Sequence, residues 1–145
     1  MDNAVSAWAN LLKVHAALVP ELDRELQQRH QTPLTWYDVL LELNAAPERR
    51  LTMGELGQRV TVSRTRVSRV VDELSRAGLV TRESHPADKR SAYAVLTQAG
   101  RNRLRQAAPT YLAAIRRRFT AHLSAEEHRA LAAALERVLE ANASG

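Results

Sequence analysis

Apolar side chains recur at Trp8, Leu11, Leu12, Leu18, Val19, Leu22 and Leu26, with His15 in the same row. Steps of three and four residues place them on one side of a helix, so the first predicted element is an amphipathic helix. Pro20 falls inside this stripe, where a missing N–H and a ring clash predict a kink. The stripe stops at residues 30–34, HQTPL. Thr35, with Asp38 three residues on, has the form of a capping box and predicts a second helix carrying Trp36, Val39, Leu40 and Leu43, ended by Pro47. Thr52 and Glu55 make a full T-x-x-E box, opening a short third helix to Val60 with Met53 and Leu56 inward.

In the fourth predicted helix Val67, Val70, Val71 and Leu74 give one apolar face over two turns. Ser63 is placed to cap its start, and Gly78 supplies the left-handed residue that ends it. Arg64, Thr65, Arg66, Ser68 and Arg69 lie off the apolar face, near the N-terminal end. A short helix, a tight turn and a second helix with a polar, arginine-bearing first half form a helix-turn-helix pattern. In that arrangement the second helix presents its first residues to base edges in the major groove. Arg64 and Arg66 are the favoured base readers, since Arg69 lies deeper in the helix. An ordinary helical hairpin would carry the same pattern, so the following segment matters. Leu79–Ser84 and Ser91–Leu96 are extended runs separated by HPADKR, with Pro86 at the turn and Asp88, Lys89 and Arg90 at the tip. A hairpin directly after a recognition helix is a wing, whose exposed Arg90 can enter the narrow minor groove. Asp88 either holds the Arg90 guanidinium in position or is an ordinary solvated turn residue.

Charge sharpens this picture. The chain of 145 residues carries 21 Lys+Arg against 16 Asp+Glu, a formal net charge of +5. Residues 63–69 hold three arginines and no acid, and residues 97–125 hold six arginines and no acid. Residues 126–140 turn acidic, with four glutamates and two arginines. A polyanion is the partner this distribution suits, because arginine forks pair with phosphate and with guanine edges. Cysteine is absent, which removes disulfides, thiol redox chemistry and thiolate metal sites. No apolar run is long enough to span a bilayer, and the first residues lack a basic n-region, so a cytoplasmic protein with no membrane contact is expected. There is no G-x-S-x-G, no glycine-rich phosphate loop and no cysteine nucleophile, so no enzyme and no cofactor are expected. His122, Glu126 and His128 come nearest to a metal pattern, but lack the H-E-x-x-H spacing, and no metal site is expected.

The stretch from Leu51 to Gly100 resembles the DNA-binding core of the MarR family of regulators. D-x-R at Asp88–Arg90 and L-T-x-x-G at Leu96–Gly100 are its most specific pieces. The likeness of layout runs from Trp8 to Leu139. It implies a mainly α fold with a small β wing, a winged helix-turn-helix core flanked by long N- and C-terminal dimerisation helices. On that reading residues 1–145 are a single domain, with 1–32 and 98–142 dimerising and 35–96 binding DNA. The resemblance further implies a ligand-responsive repressor, gripping a pseudo-palindromic double-stranded DNA operator as a homodimer. A winged-helix module for protein or RNA contact is the rival reading.

The remaining sequence suits a dimer. A long helix after Thr97 carries Leu104, Ala108, Tyr111, Leu112, Ile115 and Phe119 along one side, with Pro109 predicting a bend. Ser124 and Glu127 form another capping box, followed by Leu131, Leu135, Val138 and Leu139. Apolar faces this wide have too little domain to bury against in one copy, and a two-fold partner supplies the rest. Arg116–Arg118 are either phosphate contacts or a salt-bridging face. Trp8, His15, Asp38 and Arg69 are similar to residues that surround an aromatic anion in the urate-responsive branch of the family. The resemblance implies indole stacking, arginine pairing with the anion and an Asp38–Arg69 contact broken on its entry. In the other reading Trp8 is dimer core and Asp38 a helix-capping partner.

Overall fold

The computed structural model describes residues 2–61, 64–87 and 92–143, and of Arg64 the backbone alone. Helix α1 runs from Asn3 to His30, opened by Asp2, whose Oδ1 accepts from the Ala4 N–H at 3.2 Å. Pro20 lies inside α1 without interrupting it. Helix α2 (Leu34–Ala45) follows, then a 3-10 turn at Pro47–Arg49, strand β1 (Arg50–Thr52), helix α3 (Met53–Arg59) and helix α4 (Arg64–Arg76). Strands β2 (Val80–Ser84) and β3 (Ala92–Leu96) form the hairpin, and helices α5 (Gln98–Arg118) and α6 (Ala125–Asn142) complete the chain. The chain divides into two compact units, Met1–Tyr111 and Leu112–Gly145.

The start of α2 departs from expectation. Thr35 lies within its first turn and caps nothing, because the helix begins at Leu34 behind Pro33. The orphan N–H of Leu34 is satisfied across space instead, by Asp23 Oδ1 of α1 at 2.8 Å. A helix N-terminus needs an acceptor, and a carboxylate eleven residues upstream serves as well as a local one. The boxes at Thr52/Glu55 and Ser124/Glu127 form as the sequence predicts, with both reciprocal bonds in place.

The sheet has three antiparallel strands in the order β1-β3-β2, with Leu51 opposite Ala94 and Arg82 opposite Ala94 on the other side. Strand β1 was not anticipated, since three residues are too few to show alternation. The core of the first unit is closed by Leu26 of α1, Val39, Leu40 and Leu43 of α2, Leu56 of α3, and Val67, Val71 and Leu74 of α4. Val80, Ala94 and Ala107 join it from the sheet and α5. Each of the larger side chains contributes about 1.5–3 kcal/mol by leaving water.

The L-T-x-x-G segment now has a physical account. Thr97 Oγ1 accepts from the Gly100 N–H at 3.0 Å and donates to the Gly78 carbonyl at 2.8 Å, capping α5 while tying it to the end of α4. Gly78 sits at φ 78°, in the left-handed region. A β-carbon on Gly100 would lie 2.2 Å from the Leu79 carbonyl oxygen, so only glycine allows α5 to pack this closely on the root of β2.

Candidate nucleic-acid interface

Helix α4 buries Val67, Val70, Val71 and Leu74, and this orientation decides the rest. With one face fixed inward, Thr65, Arg66, Ser68 and Arg69 are exposed. The helix is pinned from α2 by Trp36, whose Nε1 donates to Glu73 Oε1 at 2.9 Å. Helix α3 precedes it at the turn, held by buried Leu56 and Val60. A positive, well-anchored helix end of this kind can enter a groove without reorganising.

The wing is tied to the same helix. Arg82 of β2 donates through Nη2 to the Ser68 carbonyl at 3.2 Å and to Asp72 Oδ1 at 2.8 Å. The root of the wing is a layered stack. The His85 ring lies 5.0 Å from Tyr93, and the Arg50 guanidinium lies 4.4 Å from the Tyr93 ring centre. Arg50 is itself paired with Glu48 at 2.9 Å and approaches Glu83 at 3.7 Å. His85 Nδ1 accepts from the Ala87 N–H at 3.0 Å, shaping the turn that leads outward. Asp88, Lys89 and Arg90, with the Asp88–Arg90 pairing expected between them, lie outside the described residues, as do Ser63 and the Arg64 side chain.

Sequence reasoning did not find Arg82, Trp36–Glu73 or the Arg50–Tyr93–His85 stack as parts of this surface. Alternation in β2 places Arg82 on the same face as Val80 and Ser84, but nothing local says that this face meets α4.

The residues expected to surround an anion are dispersed. A cavity of about 550 Å³ opens between the middle of α1 and the segments around Leu34 and Thr61. His15, Asp23, Thr35 and Arg66 line it, whereas Trp8, Asp38 and Arg69 do not. Trp8 is 62% exposed on α1. Asp38 Oδ2 accepts from the Thr61 N–H at 3.0 Å and from its hydroxyl at 3.1 Å, so this carboxylate orders the segment after α3. Among the described residues no ion pair joins Asp38 to Arg69. Tyr111 packs 4.5 Å from Tyr37, and burial, with the Asp38 charge added, raises the Tyr111 hydroxyl above its ordinary pKa. In the second unit, His128 Nε2 lies 2.8 Å from the Thr120 carbonyl oxygen, and Glu127 is engaged by Ser124.

Comparison with known proteins meets this geometry. Residues 19–91, half of the chain, match the MarR family. The chain belongs to the MarR family of transcriptional regulators. Its fold superimposes on Sco3205, a MarR family regulator from Streptomyces coelicolor solved in complex with DNA, with a TM-score of 0.89 and 33% identity, covering 96% of this chain and 87% of that one. AbsC, another MarR family regulator of Streptomyces coelicolor, gives a TM-score of 0.87 and 31% identity over 97% of this chain and 94% of that one. The HTH-type transcriptional repressor YetL of Bacillus subtilis is 34% identical over 79 residues, 54% of this chain and 47% of that protein. This MarR family chain thus spans about half the length of the curated relatives it matches. Among its described residues no helix is long and apolar enough to cross a membrane.

Proposed function

We propose that this chain is a sequence-specific regulator that binds a pseudo-palindromic duplex operator as a homodimer and represses transcription until a small aromatic anion displaces it. The observation that carries the reading is the coupling of α4 to the wing. Buried valines orient Thr65, Arg66, Ser68 and Arg69 outward, and Arg82 ties the wing strand to the same helix. Ser63, Arg64, Asp88, Lys89 and Arg90 complete the contact surface on this reading, with Arg90 in the minor groove. The homologue Sco3205, solved with DNA, supports duplex DNA as the partner.

Dimerisation rests on the apolar row Val5, Trp8, Leu11, Leu12 and Val14, exposed along α1, and on exposed Leu112, Val138 and Leu139 of the second unit. Segments 1–32 and 98–142 are the dimerisation elements and 35–96 the DNA-binding lobe. The effector site is the cavity shared by His15 and Arg66, where an arginine can pair with the anion's charge. Trp8 enters it only if the partner protomer brings its α1 alongside.

Selection of bound duplexes from a random pool, followed by gel-shift titration across salt, tests this. The expected result is an enriched two-fold symmetric site whose affinity exceeds that of random duplex by at least about 10³ at physiological salt. Steep salt dependence with no enriched sequence would describe a non-specific polyanion binder and overturn the reading. Titration of urate and salicylate against the selected duplex tests the effector, and intact complexes at about millimolar ligand, a range of weak binding, would remove it.

A further inference from the structure

Strand register puts Arg50, Tyr93 and Glu83 on one face of the sheet. Thr52 and Glu83 both stand opposite Tyr93, and Arg50 is two residues from Thr52. The other face carries Leu51 and Ala94 into the core. Because β3 is the central strand, Arg50 on one edge and Glu83 on the other meet across Tyr93. The Arg50 guanidinium lies 4.4 Å from the centre of the Tyr93 ring, Nη2 pairs with Glu48 at 2.9 Å, and Nη1 stands 3.7 Å from Glu83. His85, two residues beyond Glu83, stacks on Tyr93 with ring centres 5.0 Å apart and planes 17° from parallel. One cluster of side chains thus spans all three strands and reaches the first residue past β2.

The turn that supplies Glu48 is strained. Glu48 at φ 56° and Arg49 at φ 53° are consecutive non-glycine residues in the left-handed region, where the β-carbon crowds the carbonyl. Strain of this sort persists where the surrounding structure imposes it, and it concentrates at functional sites. Stability is not what the cluster adds, since Glu48 and Glu83 are exposed and exposed ion pairs contribute little. What it fixes is direction. A two-stranded hairpin is marginal by itself, and the β2–β3 ladder ends where Ser84 faces Ala92. Beyond that pair the His85 ring rests on Tyr93 and its Nδ1 accepts from the Ala87 N–H at 3.0 Å, directly before residues 88–91.

We propose that Arg50 and Tyr93 are positioning residues for the wing, setting the direction in which residues 88–91 leave the sheet and, through it, the depth at which Arg90 reaches the minor groove beside each half-site. This rests on the operator-binding reading and adds to it the residues that decide flank preference. Minor-groove width varies with sequence and is narrow in A·T-rich tracts, so an arginine reads it only when delivered at a fixed depth. Arg82 ties the inner face of β2 to α4, whereas the Arg50–Tyr93 cluster holds the outer face to β1. Between them the hairpin is held on both sides.

Equilibrium binding of the full chain, read by fluorescence anisotropy, compares the selected operator carrying A·T flanks with the same operator carrying G·C flanks. The variants are Y93A, Y93F, E48Q/E83Q, R90A and Y93A/R90A, each checked by thermal melt. E48Q/E83Q frees the Arg50 guanidinium by changing exposed side chains alone, so it decides the matter where Y93A does not fold. The ratio between flanks also cancels the general gain in affinity from removing two acidic charges. The expected parent preference for A·T flanks is about fivefold or more, the low end of what one base pair contributes. It is lost in Y93A and R90A, reduced in E48Q/E83Q and retained in Y93F, whose ring still stacks. Added to R90A, Y93A weakens binding by no more than about twofold, because both act through the same arginine. A parent that selects no operator removes this proposal together with the reading beneath it. A parent that selects one but is indifferent to its flanks, or a flank preference unchanged in Y93A and E48Q/E83Q, overturns the positioning role alone. Equal weakening at both flanks in Y93A, or a larger loss on top of R90A, would describe a purely structural part and overturn it too.

Discussion

At the scale of single residues, Arg82 shows how position matters more than pair strength. Its ion pair with Asp72 is half-exposed, and such pairs contribute about 0–1 kcal/mol. The same guanidinium also donates to the Ser68 carbonyl, in the stretch of α4 proposed to face DNA, so it fixes the angle between wing and helix. Arg82→Ala is therefore expected to lower the melting temperature only slightly while weakening operator binding by about tenfold or more. A double-mutant cycle with Asp72→Ala, read out in DNA affinity, should show coupling of at least about 0.5 kcal/mol. Additive losses would mean that the pair does not transmit orientation. Arg66 and Arg69 separate by a different readout. Loss of a base contact at Arg66→Ala costs about 1–3 kcal/mol and relaxes one half-site position, whereas loss of a phosphate contact weakens all sequences alike and lowers the salt slope by about one. At this scale the sequence was legible where partners are local. Thr52 and Glu55 are three apart and bond as expected. The capping box at Thr35 and Asp38 does not form, because Asp38 bonds Thr61, 23 residues away, and the Leu34 N–H is met by Asp23, 11 residues away, a pairing no local pattern marks.

At the scale of elements, period and capping carried most of the fold. Helices α1 to α6 are visible as apolar rows along one side, although α6 has no buried residue within the single chain. Strand β1 was hidden by its length, and its place beside β3 depends on a strand more than forty residues later. Two predictions belong here. Gly100→Ala forces a β-carbon against the Leu79 carbonyl, and chemical denaturation should show a loss of about 1–3 kcal/mol or more, with near-parent stability ruling out the close approach. The cap of α3 makes a pH-dependent contribution. Hydrogen bonds from the Thr52 backbone and hydroxyl hold the Glu55 carboxyl below its ordinary pKa. A carboxylate depressed in the folded state stabilises it above the unfolded value of about 4.3, and that contribution is lost as pH falls through the folded value. The Glu127 carboxyl is lowered in the same way by Ser124. Acid denaturation of Glu55→Gln should thus be less steep below about pH 4.3 than that of the parent. Thr52→Ala should cost about 1 kcal/mol at neutral pH.

At the scale of the whole molecule, the question is what covers the apolar surface that one chain leaves in water. Trp8 and Leu12 are 62% and 51% exposed, and with Val5 they follow steps of three and four along α1. The second half of the same helix behaves differently: Leu22 and Leu26 are buried in the core, so the helix is anchored at one end and bare at the other. Residue patterning alone could not separate these halves, because the stripe from Trp8 to Leu26 is continuous in sequence and only the packing of α2 and α5 shows where the protomer's own core ends. The difference gives a test that deletion does not. Removing residues 1–22 takes away Leu22 and damages the core, so collapse of that fragment would say little about assembly. Trp8→Glu with Leu12→Glu changes only exposed positions. In a monomeric protein these substitutions should leave both sedimentation and melting temperature unchanged. In a homodimer they bury two carboxylates from each protomer in an apolar interface, at several kcal/mol each unless the interface opens. The expected outcome is a parent chain that sediments at twice its own mass at micromolar concentration and a variant shifted to a single chain mass. Binding to a duplex carrying both half-sites should fall toward binding to one half-site in the same variant, since two recognition helices then arrive independently. An unchanged sedimentation coefficient in the double variant would place the dimer contact, and with it the spacing of the two recognition helices, away from the N-terminal half of α1.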